Sequence, residues 1–310
     1  MDIQKIVIVS PMIKELKAYI EHYKLDQEIR YLTEDSLAEK DLDWADAFCG
    51  FQIKKNTNYS KVKWVHSLGA GVDGFLYDQD WDDNVLLTRT VCSFGQRIGE
   101  YCLSYLLRDT QAHQEFAKQQ KKKSWNEIPP ALLRGKKVVI YGTGEIGRKV
   151  AEMLSVFGMK VYGISLSGKH KPDFEQVMAI DAHFSVIKEA DYVINTLPLT
   201  DKTADFFDKT FFEQARNIGF INVGRGRSVV DEALLEAIDK EHVRFAVLDV
   251  FRDEPLPEAH PFWEHPNIAI TPHISAVTTA KEAVDCFVDT LKRLETGKSL
   301  ENKVDVQKGY

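Results

Sequence analysis

Arg225, Glu254 and His273 occur in the segments INVGRGRSVVDEALL, LDVFRDEPLP and ITPHISA, each just past a short apolar run. Singly, each has an ordinary structural explanation: an arginine in a glycine turn, a solvent-facing loop acid, a histidine at a helix end. Together they form a set suited to reducing a 2-keto acid. A guanidinium grips a carboxylate and its neighbouring carbonyl through two parallel hydrogen bonds. An imidazolium delivers a proton to the carbonyl oxygen as the carbon is reduced. A carboxylate beside the imidazole fixes its tautomer and favours its protonated form near neutrality.

Such a reduction needs a carrier of reducing equivalents, and KKVVIYGTGEIGRKVAEML offers a place for one. An apolar strand runs into Gly142, Thr143, Gly144, Glu145, Ile146 and Gly147, and a helical pattern begins at once. The first glycine allows a tight turn, the second lets backbone approach a pyrophosphate, and the third lets helix pack on strand. The helix N-terminus then presents free N–H groups and a positive dipole end to the phosphates. A purely structural glycine turn is the alternative, and the strand-to-helix context favours dinucleotide binding. About twenty residues on, an NAD site usually carries an acid that accepts from the ribose 2′-hydroxyl. Here Ser165 stands in that place, with Ser167, Lys169 and Lys171 following, so the sequence predicts NADP(H) over NAD(H).

These residues must be held by alternating strands and helices. Short apolar runs predict strands at Lys5–Ser10, Glu28–Thr33, Asp46–Gly50, Trp64–Gly69 and Val85–Thr90. A second, more apolar series predicts strands at Lys137–Gly142, Lys160–Ser165, Tyr192–Pro198, Gly219–Gly224, Arg244–Phe251 and Asn267–His273. Near-continuous apolar strands with helices between them imply an α/β fold: parallel sheets covered by helices on both faces. Ile13, Leu16 and Ile20 mark an early amphipathic helix, and longer helices are expected at Gln96–Lys118 and Thr278–Glu295. The lysine run in KQQKKKSWNEIPP reads as a solvated helix end in preference to an anion site.

Composition narrows the function classes. The 310 residues are 44% hydrophobic and 28% charged with a net charge of −7, which argues against non-specific binding to nucleic acid or anionic membranes. No apolar stretch approaches a membrane span, and MDIQKIVIVS is too short an apolar run for a signal peptide. The cysteines, Cys49, Cys92, Cys102 and Cys286, show no CxxC pair or zinc spacing, so a reduced cytoplasmic chain without a metal is expected. Turnover is accordingly expected to survive a chelator.

GTGEIG, LPLTDKT, INVGRG, LDVFRDEPLP and TPHISA, taken in order, resemble the signatures of the D-isomer-specific 2-hydroxyacid dehydrogenase family over nearly the whole chain. HSLGAGVDGF resembles that family's substrate loop, which implies that the Ala70 and Gly71 amides hold the substrate carboxylate. The resemblance implies that Arg225, Glu254 and His273 are the catalytic trio, with Arg225 and His273 also binding substrate. It further implies that Thr196, Leu197, Pro198, Val223 and Gly224 line the cofactor, with Thr203 in the same segment, and that Asp249 meets the nicotinamide carboxamide. The implied organisation is two Rossmann-like or flavodoxin-like lobes. The substrate domain comprises 1–95 and 277–310, the dinucleotide-binding Rossmann domain is 96–276, and the active site lies in the cleft between them. A homodimer is implied through the Gln96–Lys118 region. The chain's ending is most similar to the glyoxylate/hydroxypyruvate reductase branch, which implies reduction of a small 2-keto acid to the D-2-hydroxy acid, with NADPH as the usual donor. The alternatives are an NADH-dependent dehydrogenase of a bulkier keto acid and a nucleotide-sensing binding protein on the same fold. Formate oxidation fits Glu254 less well, and a phosphoglycerate dehydrogenase with appended regulatory domains lacks the residues for them. Trp44, Trp64, Phe75 and Tyr77 are candidates for the substrate pocket or for core.

Overall fold

The computed structural model describes residues 1–53, 57–59 and 61–310. They form two compact units, Met1–Phe94 with Val277–Tyr310, and Gly95–Ala276.

The first unit holds β1 (Lys5–Val9), β2 (Glu28–Leu32), β3 (Ala47–Gly50), β4 (Trp64–Ser67) and β5 (Leu86–Arg89). They form one sheet in the order β2-β1-β3-β4-β5, and every paired register is parallel. This is the 2-1-3-4-5 order of flavodoxin-like sheets. Alternate residues of each strand face opposite sides, so each face acquires its own core. Ile6 and Ile8 join Leu16 and Ile20 of the helix Ile13–Tyr23, and Val284, Phe287 and Leu291 of the helix Ala280–Glu295. Val7 and Val9 face Phe48, Val65 and Phe75 on the other side. The returning helix is started by a capping box, in which Thr279 Oγ1 accepts from Glu282 N–H and the Glu282 carboxylate accepts from Thr279 N–H.

The second unit holds β6 (Lys137–Tyr141), β7 (Lys160–Ser165), β8 (Gln176–Ala179), β9 (Tyr192–Asn195), β10 (Ile218–Asn222), β11 (Val243–Leu248) and β12 (Ile268–Ile270). The sheet order is β12-β11-β10-β9-β6-β7-β8, again all parallel. In order along the chain this is the doubly wound 3-2-1-4-5-6 arrangement with a seventh strand at one edge. Val138 and Ile140 pack with Val150 and Leu154 of the helix Glu145–Val156 and with Cys102 and Leu106 of the helix Phe94–Thr110. Val139 and Tyr141 face Phe207, Phe211 and Leu234 on the opposite side. Among the described residues no helix is long and apolar enough to cross a membrane.

Several sequence expectations are corrected. The strands expected to run to Pro198, Gly224, Phe251 and His273 stop at Asn195, Asn222, Leu248 and Ile270. Leu197, Val223 and Val250 are buried, but as loop residues, so apolar continuity overstated strand length. Strand β8 was not expected, because its four residues carry no period and gain their pairing only from β7. The helix expected over 96–118 is two helices, Phe94–Thr110 and His113–Lys122, broken at Ala112 with φ +52°. The lysine run occupies the exposed end of the second helix, where cations complement the unpaired carbonyls. Trp64 and Phe75 are fully buried core, and Trp44 lies under the Arg30 guanidinium at 3.8 Å.

Candidate active site

Parallel pairing brings the carboxyl ends of the strands to one edge of the second sheet, the edge at which open α/β sheets bind ligands. Gly142 follows β6, Ser165 ends β7, Thr196 follows β9, Val223 to Arg225 follow β10, Asp249 follows β11, and Thr271 to His273 follow β12. β6 and β9 are neighbours at the point where strand order reverses.

The glycine loop is shaped by close approach. Gly142 has φ +96°, and a Cβ on Gly147 would lie 1.9 Å from the Gly142 carbonyl oxygen. A Cβ on Gly144 would meet nothing within 4 Å, leaving open space beside the backbone where a phosphate can approach. Gly144 is the N-cap, so the cap position itself carries no side chain to occupy the helix-end amides, and the first bond runs from Arg148 N–H to the Gly144 carbonyl. The loop therefore fits a dinucleotide pyrophosphate. Thr143 is buried, Glu145 is exposed and Ile146 is half-buried. Beyond β7, Ser165 Oγ accepts from Gly168 N–H at 3.1 Å and Ser167 Oγ from Lys169 N–H at 3.4 Å. Ser167 and Lys169 are exposed, and Lys171 is half-buried. Across this loop Arg148 pairs with Asp173 at 2.6 Å, a contact absent from the sequence reading.

A buried amide network sets the next two loops. Asn195 Nδ2 donates to Asn222 Oδ1 at 2.9 Å and to Ser228 Oγ at 2.8 Å, while Asn195 Oδ1 accepts from Leu197 N–H. Asn222 Nδ2 donates to the Arg225 carbonyl, and Asn222 Oδ1 accepts from Gly224 N–H. These asparagines end β9 and β10 by supplying the bonds that a continued ladder would have made. Sequence reasoning missed them, although a polar residue closing each of YVIN and GFIN was the available signal. Thr196 Oγ1 donates to the Tyr141 carbonyl at 2.8 Å, tying this loop to β6. Leu197 and Val223 are buried, and Pro198 is half-buried. The Thr203 hydroxyl donates to the Pro198 carbonyl at 2.6 Å and accepts from Thr200 N–H, so Thr203 closes the loop from within.

Glu254 and His273 are brought together: His273 Nδ1 lies 2.8 Å from Glu254 Oε2, and Glu254 Oε1 accepts from Phe251 N–H at 2.9 Å. Burial raises the Glu254 carboxyl, but bonds from His273 and the Phe251 amide, with the nearby charges of His273 and Arg225, outweigh it and hold the pKa below the ordinary value. The half-buried Arg225 donates to the Gly224 carbonyl at 2.8 Å. His273 has φ +53°, a conformation that costs an L-residue energy and persists only where its surroundings enforce it. Asp249 supplies that enforcement. Its fully buried carboxylate accepts from Thr271 Oγ1, Ile274 N–H and Ser275 N–H at 2.6, 2.8 and 2.9 Å, and its carbonyl accepts from His273 N–H. The Tyr101 hydroxyl joins Thr271 Oγ1 at 2.6 Å. In the first unit, Ala70 and Gly71 are half-exposed in the loop after β4.

Comparison with known proteins decides the family. Residues 103–275 match the family model for the D-isomer specific 2-hydroxyacid dehydrogenase, NAD binding domain. The chain belongs to this family. It is 34% identical over 260 residues to glyoxylate/hydroxypyruvate reductase A of Serratia proteamaculans, covering 82% of this chain and 83% of that one. A D-isomer specific 2-hydroxyacid dehydrogenase from Xanthobacter autotrophicus, solved with NADPH and MES, superposes with a TM-score of 0.90 at 26% identity and full coverage of both chains. The NADPH-dependent glyoxylate/hydroxypyruvate reductase of Sinorhizobium meliloti, solved with NADP and sulfate, gives 0.85 at 27% identity, over 99% of this chain and 100% of that one. This dehydrogenase is NAD(P)-dependent and acts on small 2-keto or 2-hydroxy acids.

Proposed function

We propose that this dehydrogenase reduces a small 2-keto acid of the glyoxylate or hydroxypyruvate type to the D-2-hydroxy acid, with NADPH preferred. The observation that carries the chemistry is the His273–Glu254 pair at 2.8 Å, with the Arg225 charge near enough to act on Glu254. When bound, the reduced nicotinamide supplies the hydride that the keto carbon takes up. Glu254 accepts from Nδ1–H of His273, which leaves Nε2 to hold the proton given to the substrate oxygen. Arg225 grips the carboxylate and carbonyl and orients them. The Ala70 and Gly71 amides take up the carboxylate. Asp249 and Thr271 hold the segment carrying His273, so Asp249 contributes through backbone placement as well as any contact with the carboxamide.

The donor preference rests on the uncharged Ser165 at the end of β7, followed by Ser167, Lys169 and Lys171, which suits a 2′-phosphate. Gly142 to Gly147, Thr196 to Pro198 and Val223 to Gly224 form the rest of the cofactor's surroundings, with Thr203 shaping one wall. The Gly95–Ala276 unit is the cofactor domain and the other unit the substrate domain. A homodimer is the working form. Trp125 and Leu132, 94% and 72% exposed between the helix His113–Lys122 and β6, supply apolar surface for it.

Initial rates with NADPH and NADH over a panel of 2-keto acids test the reading. Fast turnover of glyoxylate or hydroxypyruvate with NADPH preferred is expected. Preference for NADH and a bulkier keto acid would overturn the substrate and donor assignments. Tight dinucleotide binding without turnover of any member would favour a sensor.

A further inference from the structure

Beneath the loop Leu68–Val72 runs a chain of buried polar side chains that the proposed reaction does not use. The Trp64 indole N–H donates to Thr88 Oγ1 at 2.8 Å, and Thr88 Oγ1 lies 2.8 Å from His66 Nδ1. His66 Nε2 lies 3.3 Å from Thr90 Oγ1, which donates to the Ser67 carbonyl at 2.9 Å. The direction of each bond follows from what each group can give. An indole N–H only donates, and a carbonyl only accepts. Thr90 spends its proton on the Ser67 carbonyl, so the ring proton is assigned to Nε2, and Nδ1 accepts from Thr88. Trp64, His66, Ser67, Thr88 and Thr90 are all fully buried, and burial pushes the His66 pKa down to about 3, keeping the ring neutral.

The relay ends at Ser67, whose hydroxyl gathers the loop. Ser67 Oγ lies 2.9 Å from the Gly71 carbonyl and 3.2 Å from the Gly69 carbonyl, and accepts from Gly69 N–H at 3.3 Å. The Gly69 carbonyl also accepts from Thr90 N–H at 3.2 Å. In a trans peptide the carbonyl and the following N–H point in opposite directions. Drawing the Gly69 carbonyl inward therefore turns the Ala70 N–H outward, and the Gly71 N–H is caught between two held peptides. Neither amide has an acceptor among the described residues.

We infer that Ser67, backed by the relay through Thr90 and His66, is a positioning residue that presets the Ala70 and Gly71 amides as a site for the substrate carboxylate. The inference rests on the reading of Ala70 and Gly71 given above. A site set before binding spends no affinity on ordering the loop.

Four forms of the full chain test it: wild type, Ser67→Ala, Thr90→Val and Thr90→Ser. Each is assayed for kcat and KM on glyoxylate, for NADPH affinity, and for binding of oxamate, a non-reacting keto-acid analogue, to the NADPH-saturated protein. Ser67→Ala is expected to raise KM and the oxamate Kd at least tenfold together, with kcat within threefold and NADPH affinity unchanged. Thr90→Val is expected to move the same two quantities, and Thr90→Ser, which keeps the hydroxyl, to restore them. An unchanged KM in Ser67→Ala, or a fall in NADPH affinity and kcat alongside it, would overturn the role. A wild type inactive on every keto acid, yet binding oxamate tenfold better than Ser67→Ala, would sink the reductase reading and leave Ser67 in place. A wild type that binds no oxamate would remove both.

Discussion

Glu254 illustrates how little a single residue type says before its neighbours are known. A carboxylate half out of water contributes little unless something fixes it. Here the Phe251 amide holds one oxygen and His273 meets the other. Glu254→Gln keeps the shape and loses the charge that holds His273, so kcat/KM is expected to fall about 10²-fold at neutral pH with NADPH affinity unchanged. Turnover within threefold of wild type would take Glu254 out of the trio. Ser165 makes the complementary point, since its value lies in an absent charge. Ser165→Asp places a carboxylate where a 2′-phosphate is expected, and NADPH over NADH selectivity should fall at least about tenfold. Paired Kd measurements for the two dinucleotides read this directly.

At the scale of elements, the loop between β6 and the helix Glu145–Val156 depends on backbone contact. A methyl on Gly147 would meet the Gly142 carbonyl oxygen at 1.9 Å, and no rotamer can relieve a clash with main chain. Gly147→Ala should therefore cost at least about 1–3 kcal/mol in the second unit and abolish dinucleotide binding. Denaturant unfolding with a binding titration checks both halves. The motif's existence was legible in the sequence because it needs only glycines at fixed spacing after a strand. The ends of β9 and β10 were only half legible: Asn195 and Asn222 cap their own loops through Leu197 and Gly224 N–H, but the bond that joins the two side chains, 27 residues apart, exists only in the fold. Strand β8 was hidden, since its order comes from a neighbour.

For the molecule as a whole, two units with separate cores predict different responses to acid. His66 is neutral and buried in the first unit, with its pKa lowered from 6.5 to about 3. Its contribution is fully present above about pH 6.5. It is lost as pH falls, because the unfolded chain takes up a proton that the folded one refuses until about pH 3. Between pH 7 and pH 5 the first unit should lose about 1–2 kcal/mol through this group. The loss should shrink in His66→Gln. An identical pH slope in that variant, measured by denaturant unfolding, would show that His66 titrates normally.

What the sequence determined by itself was local in kind. Strand–helix alternation, the glycine loop and the residue types just past each strand follow from period, spacing and side-chain chemistry over a few neighbours. Parallel α/β architecture followed, because near-continuous apolar strands separated by helices leave few other ways to bury both faces. Tertiary structure alone decided which distant residues share a bond. It set the sheet order, turned the Asp249 carboxylate inward beneath Thr271 to Ser275, and buried the relay from Trp64 to Ser67. Each of these is a contact across many residues of chain. Its geometry depends on how helices cover each sheet and where loops close, and no local pattern encodes that.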